Sequence, residues 1–167
     1  DDILVEEGPI IDQNPFDLIH LTAEAGGGEF KVMPIDFPNR TVPKDPPKLE
    51  RIEVVLLKFP ERRYEIAWKW IDKLELYEDL IIKDANERMD QKDFIGAFQN
   101  LSYMMRRYPK FPRLAEMHQA FLWKSLTLSF QGGQREQMLS ALEELRRIAP
   151  EYREKEVMRA LNNIAKM

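Results

Sequence analysis

FIGAFQNLSYMMRRYP, residues 94–109, and REQMLSALEELRRIAP, residues 135–150, lie forty-one positions apart and share one pattern. Ala97, Leu101 and Pro109 of the first stretch become Met138, Leu142 and Pro150 of the second. In each, residues four apart fall on one side of a 3.6-residue period, and the proline then stops the helix because it has no N–H to donate. The echo predicts two equivalent helices and lets the rest of the chain be placed around them.

In the first helix Phe94, Ala97, Phe98, Leu101, Met104 and Tyr108 are read as one apolar face, with Asp93 as an N-cap whose carboxylate accepts an orphan backbone N–H. Pro112 suits a first helical position for Leu114, Met117, Phe121, Leu122 and Leu128, and Gly132-Gly133 ends that helix. Met138, Ala141, Leu142, Leu145 and Ile148 line the next, up to Pro150. Val157, Ala160, Leu161 and Ile164 line a last one from Tyr152 to Ala165.

Upstream the period changes to two. Phe16, Leu18 and Leu21, the turn Gly26-Gly27-Gly28, then Phe30, Val32 and Ile35 predict a hairpin. Ile52, Val54 and Leu56, a turn at Phe59-Pro60-Glu61-Arg62, then Tyr64, Ile66 and Trp68 predict a second, and Lys73–Tyr77 a fifth strand. Pro38, Pro43, Pro46 and Pro47 make the segment between the hairpins an extended surface arm. The chain therefore reads as α+β: a flexible lead-in over 1–15, a small SH3-like β-barrel over 16–77, and a helical stack of about five helices over 78–167.

Composition narrows the function. Residues 1–50 carry a net charge of −7 and the remainder +3, short of the basic stripe that phosphate-dominated binding requires, so nucleic acid is not the expected partner. No apolar run approaches the roughly eighteen residues of a membrane span. The absence of cysteine excludes thiolate chemistry and suits an exported protein. A chain that starts Asp1-Asp2 is expected to be a processed or trimmed form.

The spacing of Ala97, Leu101 and Pro109, repeated at 138–150, resembles the second helix of the tetratricopeptide repeat, a helix-turn-helix unit of about 34 residues. Counting back from Pro109 starts the first unit at Glu78 and places Ala85 where the family wants a small residue. The chain departs from the family's tryptophan, glycine and tyrosine, carrying Ile81, Ala85 and Arg88 in one unit and Leu122, Leu126 and Ser129 in the other. The resemblance implies a partner-binding groove along the first helices, lined by Ile82, Asn86 and Met89 and by Trp123, Thr127 and Phe130. With Ile82 four before Asn86, it is not the carboxylate-clamping version of that groove. Trp123 and Phe130 also suit plain packing against the barrel or the last helix.

PIDFPNRTVP (34–43), YEIAW (64–68) and LELYEDLI (74–81) resemble the N-terminal region of some bacterial extracytoplasmic peptide-binding proteins of ABC transporters. That resemblance implies export and a larger parent protein. Neither His20 nor His118 has a second ligand at metal spacing, no cofactor motif occurs, and Asn39-Arg40-Thr41 matches a glycosylation sequon. Arg106, Arg107, Lys110 and Arg113, among Tyr103, Tyr108 and Phe111, suggest single-strand stacking or, more simply, bases at a helix C-terminus. The expected function is a non-catalytic interaction or accessory module binding a protein, a peptide or its own downstream domains. The contrasting expectations are a hydrolase with a carboxylate site in the barrel–helix cleft, beside Trp68 or Trp70, and a nucleic-acid-binding barrel.

Overall fold

A computed structural model describes residues 8–166. Among the described residues the chain is α+β, with five short antiparallel strands followed by five α-helices. Strands β1 (Asp17–Leu21) and β2 (Glu29–Val32) form the first hairpin, β3 (Arg51–Val55) and β4 (Arg63–Ala67) the second, and β5 (Ile71–Glu75) returns beside β1. Gly26, Gly27 and Gly28 all have positive φ, a conformation costly for other residues, which explains three glycines at the first turn.

The strands do not close into a barrel. They form a three-stranded sheet ordered β2-β1-β5 and a two-stranded sheet β3-β4, joined by a bridge between Val32 and Leu56. A 3-10 turn at Trp68–Trp70 ends β4, and the register of β1 on β5 slips between His20 and Leu21. Strands β4 and β5 do not pair with one another, so the ring of strands stays open there. Both sheets still bury Ile19, Val32 and Val54 in one core, flanked by Ile35, Ile52, Ile66 and Leu74. The fifth strand lies two residues earlier than its predicted span, and the helix after it begins at Tyr77.

The lead-in before Gly8 lies outside the described residues. Residues 10–13 are tied down rather than free: Ile10–Asp12 form a 3-10 turn, and the Tyr77 hydroxyl donates to the carbonyls of Ile10 (2.7 Å) and Gln13 (3.2 Å).

Two compact units divide the chain, one ending at Lys83 and the other beginning at Asp84, inside helix α1 (Tyr77–Asp90). Helices α2 (Phe94–Arg107) and α4 (Arg135–Ile148) are the two echoed stretches. Both have fourteen residues, and their N-cap conformations agree closely, φ −85° and ψ 74° at Asp93 against −86° and 78° at Gln134. The echoed positions are all buried: Ala97 and Met138, Leu101 and Leu142, Met104 and Leu145. Helix α3 (Leu114–Gln131) packs between α2 and α4, and α5 (Glu154–Ala165) packs on α4. Leu122, Leu126, Met138, Leu142, Leu145, Val157 and Ile164 share the resulting core.

Two local expectations are corrected. Pro112 precedes α3 without entering it, and Arg113 takes the cap position. Phe98 was placed on the apolar face of α2 but is 57% exposed, because the buried arc runs through Gly96, Ala97, Asn100, Leu101 and Met104 and leaves position 98 on its outer flank.

Gly96 shows how tightly α2 begins. Asp93 accepts from the Gly96 N–H at 3.0 Å and from Arg88 at 2.8 Å, and Arg88 also reaches Asp84 at 2.7 Å. A Cβ on Gly96 would lie 2.3 Å from the Asp93 carboxylate and 2.6 Å from the Arg88 guanidinium. Alanine normally stabilises a helix over glycine by ~1 kcal/mol. The atoms met are the ends of two side chains, so alanine displaces the Asp93 cap and its Arg88 pair at a cost of about 0.5–2 kcal/mol. Gly96→Ala is expected to show none of the usual gain, staying within about 1 kcal/mol of the parent in a urea melt followed by helix circular dichroism.

Candidate functional site

Helix α2 carries an outward stripe that its counterpart lacks. Ile95, Phe98, Ser102 and Met105 recur at i, i+3, i+7 and i+10, so they share one face, and Ile95 is 76%, Phe98 57% and Met105 47% exposed. The half-buried Phe121 ring of α3 lies 6.0 Å from that of Phe98 and extends the apolar surface sideways. At the equivalent positions α4 bears Glu136, Leu139, Glu143 and Arg146, with the three charged residues exposed. The two helices bury equivalent residues on their inner sides, so the fold does not demand apolar side chains on the outer side. An exposed stripe without a packing reason is the usual sign of a contact surface.

The residues nominated for a first-helix groove are placed unevenly. Met89 is only 2% exposed and belongs to the core, whereas Asn86 and Thr127 are exposed and Ile82 is half-buried. Trp123, Thr127 and Phe130 share a face of α3, with the Thr127 hydroxyl donating to the Trp123 carbonyl at 3.0 Å. Phe130 is half exposed. Trp123 packs edge-on against Tyr152 at 6.5 Å and lies under the Arg153 guanidinium at 4.8 Å, so its ring is engaged by the α4–α5 connection.

Sequence reasoning missed a charged network in the first unit. Arg40, in the proline-punctuated arm, lies between the buried carboxylates of Asp17 and Glu78, with Nη2 donating to each at 2.7 Å and Nε donating to Glu78 at 3.0 Å. Its Nη1 donates to Asp17 at 3.1 Å and to the Ile35 carbonyl at 2.6 Å. Burial disfavours the charged guanidinium, but the hydrogen bonds to Asp17 and Glu78 outweigh it and hold the Arg40 pKa above its ordinary value. Asp17 also accepts from the backbone N–H groups of Ile35 (2.8 Å) and Tyr77 (3.1 Å), so a strand residue caps the start of α1. The arm is therefore anchored and not merely extended, with Asn39 and Arg40 held at positive φ. These two carboxylates are engaged in a closed structural network and are poorly placed for acid–base work.

No known protein family, curated protein or solved structure matches this chain.

The histidines have local partners. His20 lies across the sheet from Glu75, Nε2 to carboxylate at 2.7 Å, with Glu29 at 3.3 Å on the other ring nitrogen. Among the described residues no cluster of three or more His, Cys, Asp or Glu is arranged to hold a metal ion. His118 on α3 is pushed below its ordinary pKa by burial and by Arg147, against the opposing pull of Glu144. A histidine with a depressed folded-state pKa contributes stability that is complete above the unfolded value of about 6.5 and is lost as pH falls below it. The wild-type chain should accordingly lose more thermal stability than His118→Gln between about pH 8 and pH 5, the window in which an ordinary histidine takes up its proton. Parallel melting curves across that range would refute this.

A shallow cleft of about 450 Å³ lies between α4 and α5, lined by Glu143, Arg146, Arg147, Glu154 and Met158. Its mixed charges and open shape suit solvent better than a small molecule. Among the described residues no helix is long and apolar enough to cross a membrane.

Proposed function

We propose that this chain is a non-catalytic protein-interaction or accessory module, in which an SH3-like set of strands precedes a tetratricopeptide-like stack that binds a partner. One observation carries this reading: α2 exposes Ile95, Phe98 and Met105 where the equivalent α4 places Glu136, Leu139 and Arg146. A large apolar side chain left in water without a packing role gains by association, at about 25 cal/mol for each Å² covered. The first-helix groove is the weaker surface, because Met89 is buried and Trp123 is engaged by Tyr152 and Arg153.

The resemblance over residues 34–43, 64–68 and 74–81, together with the absence of cysteine, supports an extracytoplasmic module at the N-terminal end of a larger exported binding protein. Reading the gene beyond Met167 tests that placement.

The interaction reading itself is tested by a photo-crosslinking residue installed at position 95 and, separately, at the matched position 136. Irradiation in native extract should yield a discrete adduct from position 95 and none from 136. Adducts from both positions alike, or from neither, would defeat it.

A further inference from the structure

We propose that the partner seated on α2 is an acidic, amphipathic protein segment, its apolar residues meeting Ile95, Phe98 and Met105 and its carboxylates meeting the cationic end of the helix. This rests on the interaction reading above and adds the chemistry of the occupant.

From Phe94 to Arg113 there is no acidic residue, while Arg106, Arg107, Lys110 and Arg113 fall within eight positions. Arg106, Arg107 and Lys110 are exposed, and Arg113 lies over the Phe111 ring at 4.4 Å. The stripe runs into this cluster through Arg106, which lies four residues after Ser102 and eleven after Ile95 on the same side of the helix, its Nε donating to the Ser102 carbonyl at 3.4 Å. Bases in a last helical turn complement the helix dipole, and α4 has the same feature at Arg146 and Arg147. In α4, however, those bases are balanced by Glu136, Glu143 and Glu144, and Arg147 pairs with Glu144. The contrast between the two helices thus has two parts that point the same way. The outer face of α2 bears Ile95 and Ser102 where α4 bears Glu136 and Glu143, and α2 has no acid of its own. A surface that is apolar along its length and cationic at one end is complementary to a segment that is apolar along its length and anionic at one end, since opposite potentials steer encounter and fix register.

An anionic lipid surface shares part of that chemistry, but the stripe on one fourteen-residue helix favours a groove-seeking helix or strand over a membrane. An interfacial helix presents its charges along the flanks of the apolar face, whereas here they are gathered at one end.

The test uses the whole chain and three probes: a labelled helical peptide with a leucine stripe ending in glutamates, the same peptide ending in lysines, and phosphatidylglycerol–phosphatidylcholine vesicles. Fluorescence anisotropy should show the glutamate peptide binding about tenfold or more tightly than the lysine peptide, with an affinity that falls as salt rises. Ile95→Ser and Arg106→Glu should each weaken it by about tenfold, roughly the effect of losing one anchor, while Leu139→Ser on α4 leaves it unchanged. Ile95 and Arg106 are exposed, so circular dichroism of both variants should match the parent. Equal binding of the two peptides, binding of none of the probes, or tighter binding to vesicles than to the glutamate peptide would overturn the proposal. If the position-95 crosslink still forms a discrete adduct in that event, the interaction reading stands and only the acidic partner falls.

Discussion

Replacing Arg40 by methionine is expected to destabilise the chain by about 3 kcal/mol or more, the largest single effect foreseen in the strand-bearing unit. Methionine keeps the apolar stem and removes five donors. Asp17 is fully buried and Glu78 nearly so, and both would be left with charge facing a hole where the guanidinium stood. The loss therefore comes less from the ion pair itself than from the buried carboxylates it leaves behind. Asp17 would retain its bonds from Ile35 and Tyr77, so Glu78 should suffer more. Urea denaturation with unchanged slope would measure the loss. The triple variant Arg40→Met, Asp17→Asn, Glu78→Gln, which removes all three charges together, should recover a substantial part of it. An Arg40→Met chain as stable as the parent would show that the network carries no stability, and a triple variant weaker than the single one would show that the charges are not the cause.

Leu142→Ala should cost about 2–5 kcal/mol in the helical unit, toward the upper end of that range. Leu142 is fully buried on α4, which packs against both α3 and α5, so its side chain is enclosed from two sides and the cavity has little scope to collapse. Leu142→Met, which conserves volume, should cost less than about 1.5 kcal/mol, and Leu139→Ala, at a half-buried position on the same helix, less than Leu142→Ala. Far-ultraviolet circular dichroism during urea melting separates the three. Equal losses at 139 and 142 would contradict the assigned orientation of α4.

Much of the fold was legible because its signals are local. Asp93 stands where a cap must stand and accepts the Gly96 N–H, and Pro109 and Pro150 follow directly on the cap residues Tyr108 and Ala149. The two hairpins announced themselves through alternation and through Gly26–Gly28. Barrel closure was not legible, because it depends on whether β4 and β5 pair edge to edge, which alternation within either strand does not specify. Phe98 was misplaced for a related reason. Its spacing from Phe94 allows it on the apolar arc, but the arc's centre is set by what packs against Ala97, Leu101 and Met104.

Arg40 looked like one residue of a sequon in a proline-rich arm. Its role emerges only when Asp17, twenty-three residues before, and Glu78, thirty-eight after, converge on it. The candidate surface on α2 was half visible: its basic end could be read directly, but its apolar side chains could be told from core residues only by burial. By itself the sequence determined where the strands and helices lie and that two helices repeat, because backbone periodicity, caps and turns act over a few residues. Tertiary structure alone decided which charges are buried together, that the sheets stay open, and which apolar residues of α2 face water. Burial is a property of neighbours that lie far away along the chain, and no local pattern encodes it.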